Sequence, residues 1–277
     1  MLTVIFASFA SFIEEISSSI IKFETDHKKE SIYTAGFINM LFGITAFVII
    51  AFFRNSFVFS LASLPTFAAK AVLEIFQAWA SMNAIEKTDR SSYALIRNLT
   101  IPLLLIVDYL VGFTVHPNQW LGILIILIIL GIIIYFHIIN FQGVGYSLFT
   151  AVNAVATISL FKYNITHFNS VEGEQILTSL VLLGYFFLAA QFFAKENPLA
   201  FLTHRLFLAQ GAFHGISSIF GSFAVALGNP GIATTAGRAS AVLAGIISGH
   251  NYFQEKKFGA KILVSLGLVV GLVLLTR

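Results

Sequence analysis

The chain has 277 residues, of which 57% are hydrophobic and 10% charged, and its mean hydropathy is +0.88. Those proportions exclude a soluble domain, and a net charge of +3 scattered along the chain excludes the clustered basic face that nucleic-acid binding requires. Cysteine is absent, so disulfides and thiolate chemistry are excluded too.

A helix that spans a bilayer needs about 20 largely apolar residues. In chain order the qualifying segments are 2–22, 32–53, 57–81, 92–114, 119–139, 143–162, 174–194, 198–226, 231–253 and 260–276. The opening MLTVIFASFASF lacks a basic leader and runs into Glu14 and Glu15, so it reads as the first span and not as a signal peptide. That span carries a polar stripe of Ser8, Ser11, Glu15, Ser18, Ser19 and Lys22 at helical spacing, with Glu14 offset by about 100°.

Ionisable groups inside a membrane persist where they pair or face water. In the third span Lys70, Glu74 and Gln77 share one face at i, i+4 and i+7, either as a self-neutralising pair or as a pair that opens to a ligand. In the fourth, Arg97 and Asp108 lie a rise of roughly 16 Å apart and cannot touch. Arg97 either faces the interior or snorkels to an interface. The eighth span holds Arg205, Gln210 and His214 and the ninth holds Arg238, with no carboxylate on either helix. Their partners come from another helix or from a ligand. Glu15, Lys70, Glu74, Gln77, Arg97, Arg205, Gln210, His214 and Arg238 are the candidate substrate contacts, while Glu14, Glu15 and Asp108 are the candidate carriers of a coupling proton. The histidines show no metal-ligand spacing and no nucleotide motif is present, so no metal or cofactor is expected and the driving force is a gradient.

The landmarks recur. Aligning Arg97 with Arg238 brings Lys70 in LPTFAAK against Arg205 in NPLAFLTHR, Phe52-Phe53-Arg54 against Phe192-Phe193-Ala194-Lys195, and Lys22 against Lys162. Two halves follow, 1–140 and 141–277, each with an odd number of spans, so the second enters the membrane from the opposite side. This recurrence, with the runs SSYALIRNLTIPLLLIVDYLVG around Pro102, QWLGILIILIILG and GRASAVLAGIISGHNYFQEKKFGAKILVSLGLVVG, resembles the drug/metabolite transporter superfamily over the whole chain, in its ten-helix members with two EamA-type halves. The chain departs from that pattern at Glu14 and Glu15, where members often carry Trp-Gly, and at Gly112-Phe113, where a Gly-Glu pair is common; Glu255 keeps the comparable place after the ninth span.

The resemblance implies an all-α integral membrane protein of ten transmembrane helices in two inverted five-helix repeats. It implies a secondary transporter, not an enzyme, that moves a small polar metabolite by alternating access in the plasma (inner) membrane. The rival reading is a membrane-embedded enzyme acting on a lipid or peptide. An intramembrane aspartyl protease needs two aspartates within the spans, and Asp108 is the one there. Lys and Arg near the span ends place both termini outside by the positive-inside rule, whereas the family pattern places them inside. Gly211/Gly215, Gly245/Gly249 and Gly267/Gly271 permit close helix approach, within the bundle or in a weak dimer.

Overall fold

The computed structural model describes residues 1–27, 29–110, 117–136, 138–139 and 141–275, and within them not the side chains at positions 108, 110, 119, 134, 272 and 275, Asp108 among them. That proton-carrier candidate, Gly112-Phe113 and the half boundary at residue 140 therefore lie outside the described residues. The helices are α1 (Leu2–Asp26), α2 (Ile32–Arg54), α3 (Leu64–Lys87), α4 (Arg90–Ile96), α5 (Thr100–Leu110), α6 (Pro117–Tyr135), α7 (Val144–His167), α8 (Val171–Ala189), α9 (Arg205–Leu227), α10 (Pro230–Phe253) and α11 (Phe258–Leu275), and no strand occurs among the described residues. Five of them, α1, α2, α7, α8 with its extension to Ala194, and α10, are long and apolar enough to cross a membrane. Shorter apolar stretches occur in α6 (Trp120–Ile133) and α11 (Phe258–Gly271). The chain is an all-helical, multi-pass membrane protein.

Proline decides where three of the expected spans depart from simple hydropathy. Pro65 sits in the first turn of α3, where its missing N–H costs nothing. Ahead of it Val58 N–H donates to Ser170 Oγ (3.0 Å), Ser170 N–H donates to Val58 O (2.9 Å) and Ser60 N–H donates to Asn169 Oδ1 (2.9 Å), so this stretch is not helix. Pro198 opens a 3-10 turn, Pro198–Thr203, and α9 begins only after it. Pro102 cannot donate to Asn98 O, and the fourth span breaks into α4 and α5 around a 3-10 turn, Arg97–Leu99. The Asn98 amide donates to Ala94 O (3.0 Å) and Leu95 O (3.1 Å), which tidies the end of α4.

Two apolar cores result. Leu95, Ile101, Ile126, Ile246 and Leu268 join α4, α5, α6, α10 and α11. Ile21, Ile38, Ile85, Phe186 and Phe207 join α1, α2, α3, α8 and α9. Aromatic residues stand exposed at helix ends, among them Phe52, Phe53, Tyr135, Phe192, Phe193 and Tyr252, as expected at a membrane interface. The glycine pairs face inward to the chain itself. A Cβ on Gly215 would lie 3.0 Å from Phe42 O, and one on Gly271 3.3 Å from Gly122 O, so these positions let backbones approach within the bundle.

The chain makes several contacts twice. Lys22 Nζ donates to the carbonyls of Ile85, Glu86 and Thr88 (3.4, 3.2 and 3.2 Å) at the end of α3. Lys162 Nζ donates to those of Val225, Ala226 and Gly228 (3.0, 3.2 and 3.1 Å) at the end of α9. Each partner lies 140 positions beyond its counterpart: 22 and 162, 85 and 225, 86 and 226, 88 and 228. Left-handed residues Asn55 (φ 48°) and Lys195 (φ 58°), also 140 apart, end the two helical stretches. Ser31 and Ser170 cap α2 and α8 in the same way.

The landmark pairing needs one correction. Lys70 corresponds in its contacts to Gln210 and not to Arg205: Lys70 Nζ donates to Glu174 and Thr178 of α8, and Gln210 Nε2 donates to Ala35 O and Asn39 of α2. The two lateral interfaces are unequal all the same. α2 packs along much of α9, while α8 meets α3 over a short stretch at Lys70.

Candidate functional site

A cavity of about 470 Å³ lies among α1, α3, α4, α9 and α10, within the 300–1,000 Å³ range of small-ligand sites. The polar stripe of α1 lines it through Ser11, Glu14, Glu15 and Ser18, and the break after α4 brings in Arg97. From α3 come Glu74, Gln77 and Ser81; from α9, His214, Ser217 and Ser218; from α10, Thr234 and Arg238.

The charges sort into paired and unpaired groups. Arg90, 1% exposed, grips Glu15 with both arms of its guanidinium, Nε to Oε1 at 3.0 Å and an Nη to Oε2 at 2.7 Å. Ser248 and Ser19 add hydroxyl bonds to Glu15 Oε1 (2.5 and 3.3 Å). A second acid, Glu14, meets His214 Nδ1 at 3.1 Å, and His214 Nε2 lies 3.3 Å from Ser218 Oγ. Arg97, Arg238 and Glu74 form no ion pair among the described residues. The Nε of each arginine is buried without a hydrogen-bond partner. Arg97 stacks over the Tyr93 ring at 4.9 Å, and Arg90 approaches the same ring at 5.7 Å, so one aromatic spaces two guanidinium groups along α4.

Three expected site residues lie elsewhere. Lys70 is buried in an ion pair with Glu174 (3.0 Å), whose oxygens also accept from the amides of Asn164 (2.9 Å) and Asn169 (2.6 Å). The i, i+4 pairing with Glu74 is thus replaced by a partner from α8, which leaves Glu74 to the cavity. Gln210 is fully buried between α9 and α2. Arg205 is exposed as the first residue of α9, because the turn begun at Pro198 delays the helix and puts this residue at its end and not at its centre. Gln77 lines the cavity while donating to Thr150 O (3.3 Å) and accepting from Asn153 (2.9 Å).

Arg90 was not among the expected site residues, because it stands between two spans and counts there as a loop charge. The signal for it was Glu15, a buried acid that had to find a base. Glu255 was also missed as a structural group: its carboxylate accepts from Arg90 N–H (2.6 Å), from the Ser91 N–H and hydroxyl, and from Lys261 Nζ (2.9 Å). Gly249 makes room for it, since a Cβ there would meet the carboxyl at 2.5 Å. No three His, Cys, Asp or Glu side chains converge as metal ligands among the described residues.

No family model and no curated protein matches the chain. A solved structure, described only as the crystal structure of a protein, superposes with a TM-score of 0.63 at 14% identity, over 98% of this chain and 96% of its own. At that identity the likeness is one of fold alone, and it extends from end to end of both chains.

Proposed function

We propose that the chain is a secondary transporter that crosses the membrane ten times in two inverted five-helix halves and carries a small anionic or zwitterionic metabolite by alternating access. The observation that carries the reading is a pair of half-buried arginines, Arg97 and Arg238, on the wall of a metabolite-sized cavity, each with its Nε buried and with no ion-pair partner among the described residues. A guanidinium nitrogen shielded from water without an acceptor is costly, and a carboxylate or phosphate group on the ligand supplies the missing partner and charge. Glu74 on α3, without an ion-pair partner among the described residues, suits an amino group on the same ligand.

The twice-made contacts support the inverted halves, and the unequal lateral interfaces support a molecule resting in one of two exchangeable states. Glu14 and His214 are the pair we assign to proton coupling. The test is counterflow in proteoliposomes with labelled amino acids and organic acids. Uptake of an anion or zwitterion that Arg238→Met abolishes supports the reading, and no uptake of any of them by folded protein refutes it.

A second reading has one observation in its favour. Ser218, His214 and Glu14 stand in the order of a nucleophile, a base and an orienting acid. A membrane-embedded hydrolase built on them would label covalently at Ser218 with a fluorophosphonate, and a transporter would not.

A further inference from the structure

The cavity has two unlike kinds of wall. Arg97 enters it from the break after α4, and Arg238 from α10, which packs on α4. Otherwise α1, α9 and α10 give it mainly small or polar side chains, among them Ala10, Ser217, Gly221 and Gly237. The bulky apolar lining comes from other helices: Met40 on α2, Met82 and Ile85 on α3, Leu182 and Phe186 on α8. Met82, Ile85, Leu182 and Phe186 belong to one apolar cluster, and Met40 packs against it. Tyr93 joins the two walls, because its ring is part of that cluster and its centroid lies 4.9 Å from the Arg97 guanidinium. An anion that meets Arg97 therefore stands at the edge of apolar surface that continues through Tyr93.

The chain has three methionines, and the two beyond Met1 both line this cavity. Methionine is unbranched and polarisable, so its thioether adapts to what it covers, whereas leucine or isoleucine fixes one shape. A core that only has to close is better specified by branched side chains; a wall that takes guests of several shapes is better served by methionine. On the repeat proposed above, position 82 corresponds to position 222, 140 further on. Ser222 lines the same cavity from α9 and accepts from the Gln175 amide (2.8 Å). Corresponding places in the two halves thus carry a thioether and a hydroxyl, which makes one wall apolar and leaves the other polar.

We propose that Met40, Met82, Leu182 and Phe186 form an apolar subsite that receives the tail of the ligand, which is therefore an amphipathic anion: a carboxylate or phosphate head at Arg97 and Arg238, and an aliphatic or aryl tail of no single shape. This assignment rests on the arginine-lined site of the transport reading and adds what lies beyond the charge. The head fixes orientation through directed bonds, and the tail contributes affinity in proportion to the apolar surface it buries.

The test is carbon-13 methyl labelling of methionine in the purified full-length protein in detergent. It gives three methyl resonances, assigned through Met40→Leu and Met82→Leu, changes of similar volume that a core tolerates. Met1 is 99% exposed and reports any probe that merely enters the detergent. The probes are acetate, butyrate and hexanoate, identical in charge and separated by two methylenes at each step. A buried methylene tightens binding by about fourfold, so each step tightens it by about fifteenfold. The expected result is that butyrate and hexanoate shift the Met40 and Met82 resonances with midpoints that fall by about that factor, that Met1 stays in place, and that Arg238→Met weakens the series throughout. Midpoints that do not change along the series, or Met40 and Met82 resonances that no probe moves, overturn the subsite. So does hexanoate binding that Arg238→Met and Arg97→Met both leave untouched, because the tail would then sit without its head. Hexanoate that binds as expected but is not carried in counterflow refutes the transport reading and leaves the subsite standing. Uptake of acetate or glycine beside a flat series does the reverse.

Discussion

Replacing Glu15 by glutamine strands the Arg90 guanidinium in a place where it is 1% exposed. Two charge-assisted bonds, at 3.0 and 2.7 Å, lose their charged acceptor. Hydrogen bonds to charged groups contribute about 1.5–3 kcal/mol each, and breaking a buried pair from one side costs about 3–5 kcal/mol. With an unfolding entropy of about 2 cal/mol/K per residue, the Glu15→Gln melting point falls by roughly 5–9 °C. Arg90→Met leaves Glu15 with its two serine hydroxyls and costs a similar amount, and the double replacement recovers most of the loss because no charge is left buried alone. Arg97→Met is the control: it removes a cation with no carboxylate partner among the described residues, so the melting point holds or rises. Thermal unfolding of the four variants in detergent measures all of this. An Arg97→Met as damaging as Arg90→Met would refute the division of the cavity charges into structural and ligand-directed groups.

Further outcomes follow from the same geometry. Lys22→Met and Lys162→Met each remove three bonds to helix-end carbonyls and lower the melting point by similar amounts, about 2 kcal/mol or more apiece; a large inequality counts against the equivalence of the two contacts. Gly215→Ala brings a methyl to 3.0 Å from Phe42 O and costs about 1–3 kcal/mol, whereas Gly184→Ala, with open space around it, is near neutral in the same assay. Glu14→Gln with an intact melting point removes the pH dependence of uptake if the Glu14–His214 pair carries the proton, and uptake that still responds to a pH gradient excludes that role.

The sequence revealed the membrane class, the recurrence of landmarks and much of the cavity wall, because each rests on local pattern. A stripe of serine and glutamate along α1 can only face a polar interior, and Arg238 with no acid on its own helix can only look outward for one. Partner choice was another matter. Lys70 and Glu74 satisfy the i, i+4 rule, yet Lys70 pairs with Glu174, which sequence places 104 residues away and which competes through two extra amide donors. Arg205 drew attention as a charge in an apolar run, but the run contains Pro198, and the turn it imposes moves the helix start to the arginine itself. Helix boundaries set by proline, and pairings between distant helices, are decided by three-dimensional packing that periodicity does not encode.

The clasp made by Glu255 gives the α10–α11 turn a mechanical meaning. The turn holds two left-handed residues, Gln254 (φ 50°) and Lys257 (φ 62°), a stiff bend that positions the carboxylate between them. That carboxylate grips the first turn of α4, whose first residue is Arg90, and Arg90 in turn grips Glu15 on the cavity wall. Exposed bend, short helix and cavity wall are therefore one lever, joined through Glu255, Arg90 and Glu15. An antibody fragment that immobilised residues 254–257 would stiffen the cavity wall through these contacts, with no need to enter the cavity itself.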